Sequence, residues 1–187
     1  MDIDIDLPDR TKLLDLINYI PASIYRTDDF VKHNTGIYLQ DVPKNPLTGL
    51  AVVDHKSAEF LGFFKFDLLN VHVYQKIKDN AHLEQLMNTE PVWELLNNRE
   101  FVDMLIHING HFDTLQRMEP VDSIEKMAMF LAVIRPAKRH LIGKSWDVVR
   151  ETIWDKPLDG SYYFRKGHGI SYSHLVVVHI NLLAETI

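Results

Sequence analysis

The stretch Met1-Asp2-Ile3-Asp4-Ile5-Asp6-Leu7 alternates acidic and aliphatic residues strictly. In a β-strand, side chains two residues apart share a face and lie roughly 6.6 Å apart along the strand. The alternation therefore predicts a strand with three carboxylates, those of Asp2, Asp4 and Asp6, on one face and aliphatic side chains on the other. Three unpaired carboxylates in one place repel each other, so we expect a cation, solvent or a basic side chain beside them.

A second stretch, Phe63-Phe64-Lys65-Phe66-Asp67-Leu68, has the same period, with Lys65 and Asp67 on one face. If the two strands are neighbours, their acids converge. Acids that hold two divalent ions about 4 Å apart are the standard apparatus for in-line attack at phosphorus. A second interpretation stays open, in which the acidic strand is merely solvated and Asp67 caps the next element. A calcium loop is disfavoured, because Leu7 stands where such loops need Gly and Leu13 where they need Glu.

Composition limits the class of protein. A chain of 187 residues, 46% of them hydrophobic and 25% charged, predicts a globular protein with one domain or a domain and a small helical annex. The absence of cysteine excludes disulfides and thiolate metal sites and fits a reducing compartment. We see no export signal and no apolar run near 18 residues, so we expect a cytoplasmic location and no membrane partner. The net charge of −6 argues against a surface that grips nucleic acid everywhere, although a local basic groove remains compatible with it.

The order of strand and helix signals predicts an α+β fold. Asp9 is a candidate N-cap for a helix from Arg10 to Ile20 that Pro21 ends, and Asp54 is a candidate N-cap for a short helix before the second strand. After Asn70 the apolar residues recur mainly at helical spacing. We therefore predict an acidic part with a small mixed sheet, residues 1–70, and a mainly helical part, residues 71–187, packed on it in one compact unit. The other predicted segments are extended at 30–42 and 50–53, helical at 71–78, 83–87, 92–96, 101–108, 123–134, 146–154 and 168–183, and a turn at Asp159-Gly160.

Three further motifs stand in order with the two strands. They are His33-Asn34-Thr35-Gly36-Ile37, then Gln116-Arg117-Met118-Glu119-Pro120 followed by Ile134-Arg135-Pro136, and then Phe164-Arg165-Lys166-Gly167-His168-Gly169-Ile170-Ser171-Tyr172. Together the five motifs resemble the bacterial replicative DNA polymerase III α subunits, the C-family polymerases. The acidic strand resembles their Pro-Asp-x-Asp-x-Asp strand, and the second strand resembles their Val-Lys-Phe-Asp-Phe-Leu strand. The other three are similar to their His-Ala-Gly-Gly-Val, Arg-Leu-x-Pro with Phe-Arg-Pro-Gly, and Phe-Asn-Lys-Ser-His-Ala-x-x-Tyr segments.

The resemblance implies a small palm of the polymerase-β-like nucleotidyltransferase type that transfers nucleotides to a DNA 3′-end. It implies that Asp2, Asp4 and Asp67 are catalytic acids that hold two Mg²⁺ or Mn²⁺ ions, with Asp6 as an additional metal-binding acid. DNA primer–template and deoxynucleoside triphosphates would be the substrates. The candidate contacts to substrate phosphates are Lys65, His33, Arg135, Lys166 and His168, and each has a structural alternative, which for Lys65 is a salt bridge to one of the acids.

The chain departs from the C-family pattern in ways that affect the implied site. The Gly-Ser-rich phosphate loop upstream of the acidic strand is missing, and two long segments, including the fingers, are reduced to a few tens of residues or less. Ala137 replaces the Gly after Arg-Pro, and Gly167 replaces Ser. We therefore expect either a palm module completed by a second polymerase chain or a replication protein, or a non-catalytic replication scaffold. The expected source is a bacterial or phage-infected bacterial cell.

Two other groups of histidines are candidates for metal binding or for packing in the core. His107 and His111 have the spacing at which two helical histidines share a zinc ion, but Gly110 disfavours a helix there and the Glu of a metalloprotease motif is missing. His174 and His179 lie in the last apolar helix, where we expect hydrogen-bonded core histidines.

Overall fold

The computed structural model describes residues 2–156 and 164–187, with the side chain of Asp2 excepted, so the predicted turn at Asp159-Gly160 lies outside the described residues. The chain divides into two compact units, Met1–Lys76 (unit 1) and Ile77–Ile187 (unit 2). Unit 1 contains a small mixed sheet, and the described part of unit 2 is helical. The predicted α+β class, with a mainly helical C-terminal half, is confirmed.

Unit 1 is built on a four-stranded mixed sheet. Its strands are β1 (Asp2–Leu7), β2 (Ile20–Arg26), β3 (Asp29–Tyr38) and β4 (Lys65–Asn70). Their order in the sheet is β1-β4-β3-β2. The first strand pairs with β4 in parallel, and the other neighbours are antiparallel. The two strands that carry the acids are therefore neighbours, as the sequence predicted.

The segment after the first strand differs from the prediction. Helix α1 spans only Arg10–Leu14. Asp9 is its N-cap, because the Asp9 carboxylate accepts a hydrogen bond from the N–H of Thr11. The chain then enters β2, because Ile20 pairs with Tyr38 and is buried against it. Pro21 consequently lies inside a strand and does not end a helix. The hairpin that β2 forms with β3, through a turn at Thr27 and Asp28, outweighs the helical spacing of the apolar residues, and no residue of α1 is fully buried.

One face of the sheet is covered by the segment that leads to β4. Helix α2 (His55–Phe60) begins at Asp54, whose side chain caps it as predicted. In place of the predicted strand at 50–53, Ala51 forms an isolated bridge with Lys44. A compact apolar core results, and it consists of Ile20, Ala22, Tyr38, Val42, Ala51 and Ala58.

Unit 2 is organised around α6 (Ile124–Val133) and α8 (Lys166–Ala184), which pack on each other. Helix α6 is buried on all sides from Met127 onward, which is typical of a core helix. The remaining helices are α3 (Asn80–Asn88), α4 (Arg99–Met104), α5 (Phe112–Leu115) and α7 (Trp146–Thr152), and 3₁₀ helices span Trp93–Asn97 and Pro136–Leu141. In unit 1, a further 3₁₀ helix spans His72–Lys76. None of the described helices combines the length and apolar character needed to cross a membrane.

Buried polar side chains of α8 complete the hydrogen bonding of neighbouring backbone. His179 Nδ1 accepts the N–H of Ile106 at 3.1 Å, which confirms the predicted core histidine. The Asn181 amide donates to the carbonyls of Leu86 and Thr89, both at 2.8 Å. These carbonyls lie at the C-terminal end of α3, where helix carbonyls lack partners within the helix. The two side chains therefore fix the positions of segments far away in sequence.

A substitution of Gly36 in β3 tests how closely the side chains of unit 1 pack around this strand. A Cβ at this position would lie 2.8 Å from Lys65 Cδ, 2.9 Å from His33 Nδ1 and 3.0 Å from Ala22 Cβ. We expect Gly36→Ala to lower the free energy of unfolding by about 1–3 kcal/mol, because these neighbours must move apart. Urea denaturation followed by circular dichroism measures the change.

Gly167, in the first turn of α8, is the matched control, since a Cβ there meets nothing within 4 Å. Gly167→Ala is expected to be neutral or slightly stabilising, because Ala is the better helix former. Equal stability of Gly36→Ala and the unsubstituted chain would contradict the close approach of Lys65 to β3.

Candidate functional site

The acids of β1 and β4 face each other across the parallel pair. Asp4 is the register partner of Asp67, and Asp6 is the partner of Leu69. Neighbouring strands lie about 4.8 Å apart, and register partners project to the same face of a sheet. Asp2 pairs through its backbone with Lys65, but its side chain lies outside the described part of the chain. The sheet thus places Asp4 beside Asp67, as the sequence predicted.

Asp6 is the acid for which the surroundings are least favourable to a negative charge. Its side chain is half-buried near the end of β1. Burial raises the pKa of its carboxyl above the ordinary value, and the negative charge of Asp4 raises it further. A cation placed near the two acids would relieve this repulsion.

Asp67 already has a cation beside it. Lys65 donates to Asp67 Oδ2, and the two residues are only 4% and 8% exposed. The hydroxyl of Thr35 donates to Asp67 Oδ1 at 2.7 Å. Burial alone would raise the pKa of Asp67, but the hydrogen bonds from Lys65 and Thr35 outweigh it and hold the pKa below its ordinary value. Of the two roles that the sequence left open for Lys65, the structure contains the salt bridge.

His33 lies next to Asp67 and contacts the backbone of β3 through its ring. Its Nδ1 accepts the N–H of Gly36 at 2.9 Å and that of Thr35 at 3.3 Å. A nitrogen that accepts hydrogen bonds carries a lone pair, so the proton of the neutral ring is on Nε2. His33 Nδ1 also lies 3.7 Å from Asp67 Oδ1, and His33 contributes, after Lys65 and Thr35, to the lowered pKa of Asp67. His33 is arranged to donate a hydrogen bond from Nε2.

His55, which the sequence did not single out, lies against His33. The two rings meet edge to face, with centroids 5.3 Å apart. The preceding residue, Asp54, accepts the N–H groups of Tyr25 and Lys56 and so ties α2 to β2. His55 Nδ1 is buried 3.5 Å from Asp54 Oδ2, and no described atom forms a hydrogen bond with it. No local pattern reveals this neighbourhood, because 21 positions of sequence separate His33 from its partner.

The remaining candidates from the sequence lie in unit 2. The Arg135 guanidinium stacks over the Phe164 ring at 4.8 Å, and the His168 ring lies 6.4 Å from the same ring. Lys166 is exposed in the first turn of α8. The five predicted phosphate contacts therefore form two groups. Lys65 and His33 lie with Asp67 in unit 1, and the other three lie at or near Phe164 in unit 2.

His107, which the sequence indicated only as a zinc candidate with His111, joins this second group. It adopts φ +67°, and its ring stacks on Tyr172 with centroids 4.4 Å apart. Burial, and then the nearby Arg135, lowers the pKa of His107 from 6.5 to about 4. His111 lies beyond a turn at Gly110, also at positive φ, so no helix joins the two histidines. Burial, followed by Arg135 and Arg139, lowers the pKa of His111 as well.

Among the side chains that the structure describes, no group of three or more histidines and acids is arranged to hold a metal ion. Asp2 is outside that set. Comparisons with protein-family models, with curated proteins and with solved structures find no significant match to this chain.

The buried pair of Lys65 and Asp67 leads to a stability prediction. We expect Lys65→Met to lower the free energy of unfolding by about 3–5 kcal/mol, because it leaves the Asp67 carboxylate buried without its cation. The pKa of Asp67 should rise, and a ¹³C NMR titration of its carboxyl carbon measures it. Adding Asp67→Asn to Lys65→Met should recover part of the stability, since the uncompensated charge is then gone.

Lys32→Met, at an exposed position of β3, is the matched control and is expected to change neither quantity appreciably. If the pKa of Asp67 were the same in Lys65→Met and Lys32→Met, the ion pair would have no energetic role.

His107 predicts a pH dependence of stability. In the unfolded chain, His107 takes up a proton near pH 6.5, but in the folded protein it does so only near pH 4. The stability that neutral His107 contributes is therefore complete above pH 6.5 and is lost as the pH falls toward 4. We expect this loss to reach about 1–2 kcal/mol, with partial solvent screening taken into account. Urea denaturation at a series of pH values measures it.

In His107→Asn the decrease between pH 6.5 and 4 should become smaller, and Asn tolerates the positive φ of this position. His140→Asn, at an exposed position of the 3₁₀ helix, is the control and should keep the full decrease. An unchanged decrease in His107→Asn would show that another group causes it.

Proposed function

We propose that unit 1 is a DNA polymerase III α-like (C-family) palm module for two-metal nucleotidyl transfer to a DNA 3′-end. The observation that carries the proposal is the register of the parallel pair, in which Asp4 stands opposite Asp67. Acids on neighbouring strands, projecting to one face, are what two shared divalent ions require. The half-buried Asp6 supports the proposal as an additional acid on the same face, and burial, followed by the charge of Asp4, raises its pKa.

The carboxylates fit Mg²⁺ or Mn²⁺ as ligands, since hard cations prefer oxygen donors. Asp2, Asp4 and Asp67 would hold the ions, with Asp6 as an additional acid. When bound, the ions would activate the primer 3′-hydroxyl and offset the charge of the triphosphate. Asp67 keeps ligand capacity, because Lys65 and Thr35 occupy one direction on each oxygen and a carboxylate has about four acceptor sites.

Two other side chains of unit 1 have defined roles in this proposal. Lys65 supplies a positive charge that holds Asp67 ionised and adds to the attraction for phosphate. His33 presents Nε2–H as a hydrogen-bond donor, since its Nδ1 is engaged with the backbone of Thr35 and Gly36. It does not act as a base through Nε2, which carries the proton in the neutral ring. The resemblance also suggests phosphate contacts for Arg135, Lys166 and His168.

A non-catalytic replication scaffold is the second candidate function. The observation in its favour is the buried salt bridge itself, because Lys65 and Thr35 satisfy Asp67 without any metal ion. A cluster whose cation is an internal lysine is stable as a purely structural feature. The two candidates differ in whether the acids bind a divalent ion and whether nucleotide incorporation depends on them.

A metal titration followed by primer extension tests the proposal. We expect Mn²⁺ to stabilise the full chain by mass action, by about 2.7 kcal/mol at a concentration one hundred times the dissociation constant. Asp4→Asn should abolish the stabilisation, because it removes a ligand and its charge. Asp41→Asn, an exposed acid of the same unit, should leave it intact. Thermal melts with and without Mn²⁺ measure both effects.

Primer extension with Mg²⁺ or Mn²⁺, for the chain alone and mixed with products of neighbouring genes, then separates the two functions. Incorporation that Asp4→Asn abolishes supports the palm module, with or without a partner. A melting temperature that Mn²⁺ leaves unchanged, together with no incorporation in any mixture, favours the scaffold.

A further inference from the structure

A group of aromatic and basic side chains in unit 2 forms a continuous contact, which we call the Arg135 cluster. It consists of His107, Arg135, Phe164, His168 and Tyr172. The Arg135 guanidinium lies over the Phe164 ring, Phe164 contacts Tyr172 with centroids 5.9 Å apart, and Tyr172 stacks on His107. The His168 ring is parallel to Tyr172 within 10°, with centroids 6.0 Å apart. The rings thus connect Arg135 with His107.

Two polar atoms of the cluster are buried without a hydrogen-bond partner among the described residues. They are Arg135 Nε and His107 Nε2. A buried donor that lacks an acceptor costs about 1–3 kcal/mol, so native proteins rarely leave one unsatisfied. Two such atoms on side chains of the same cluster indicate that an acceptor from outside the protein completes them.

The charge around the cluster points to an anion as that acceptor. From Arg135 to Lys144 the sequence contains five basic or histidine residues and no acid. No described carboxylate forms a salt bridge with Arg135, whereas Arg150 pairs with Glu125 and Asp147, and Arg99 pairs with Asp113. The lowered pKa of His107 favours its neutral ring, which, in the tautomer with its proton on Nε2, donates a hydrogen bond without adding a second positive charge beside the guanidinium.

We infer that the Arg135 cluster binds a small oxyanion of the phosphate class, with Arg135 and His107 as its donors. A guanidinium matches such an oxyanion through its planar fork of N–H groups. A phosphate or pyrophosphate presents several acceptor oxygens, so different oxygens can accept from the two donors, whereas a chloride ion offers one atom to both. Phe164 holds the guanidinium in place through a cation–π contact. The inference rests on observations of unit 2 alone and does not need the acids of unit 1, although the resemblance to polymerases also suggests Arg135 as a phosphate contact.

Isothermal titration calorimetry of the full chain with sodium pyrophosphate, at constant ionic strength, tests the inference. We expect saturable binding to one site, weakened about tenfold or more in Arg135→Gln and severalfold in His107→Asn. Arg150→Gln, which removes a surface arginine of the same unit, is the matched control and should bind as the unsubstituted chain does. Equal weakening by Arg135→Gln and Arg150→Gln would mean that only general positive charge is involved, and it would overturn the site.

Two additional measurements keep the test independent of folding defects in the variants. In the unsubstituted protein, the Arg135 Nε–H resonance should shift on addition of pyrophosphate and not on addition of sodium chloride. Inorganic phosphate should bind at the same site, and acetate should bind at least tenfold more weakly, because phosphate offers more acceptor oxygens and more charge. An unmoved Nε–H resonance, no pyrophosphate binding, or acetate binding as tight as that of pyrophosphate would each overturn the inference.

Discussion

The structure of unit 1 depends on the buried salt bridge between Lys65 and Asp67. Removing two charges from water costs several kcal/mol for each ion, and only close contact with further hydrogen bonds offsets that cost. Here the contact is direct, and the Thr35 hydroxyl supplies the further bond. The lysine stem reaches the acid by passing over β3, which requires a residue without a side chain at Gly36. One electrostatic interaction thereby fixes the residue type on a neighbouring strand.

In unit 2, two buried polar side chains are satisfied by hydrogen bonds to the backbone rather than by an ion pair. Its central helix α8 carries His179 and Asn181 into the core, where each satisfies backbone groups of another segment. Glu119 performs a similar role at α7, because its carboxylate accepts the N–H of Trp146 at 2.9 Å while the N-cap residue Ser145 makes no capping bond. Against this thorough pairing, the unsatisfied nitrogens of Arg135 and His107 are exceptions, and exceptions of this kind concentrate at sites of function.

The features that could be predicted from the sequence are those with a short repeat and a strong contrast between neighbouring residues. The alternation in Asp2–Leu7 and around Asp67 predicted both strands and their pairing, because period two leaves little ambiguity about faces. Caps at Asp9 and Asp54 were predictable because the capping bond is local. The strand Ile20–Arg26 was not, since its apolar spacing also suits a helix and its hairpin turn, Thr27-Asp28, lacks the Gly that usually marks such a turn. The contacts of His55 and His107 were not predicted either, because their ring partners come from distant segments.

The salt bridge also sets the terms on which a metal ion could enter unit 1. With Lys65 in place, the charge of Asp67 is balanced, and β1 brings Asp4 and Asp6 to the same face, where burial and then the charge of Asp4 raise the pKa of Asp6. A divalent ion attracted to those two acids gains Asp67 as a ligand only if it shares the carboxylate with the ammonium group of Lys65. The repulsion between the ion and that ammonium then opposes binding, whereas the like charges of Asp4 and Asp6 favour it. The balance of these opposing electrostatic terms, rather than the number of acids, determines whether this face of the sheet is a metal centre or a self-neutralised structural cluster.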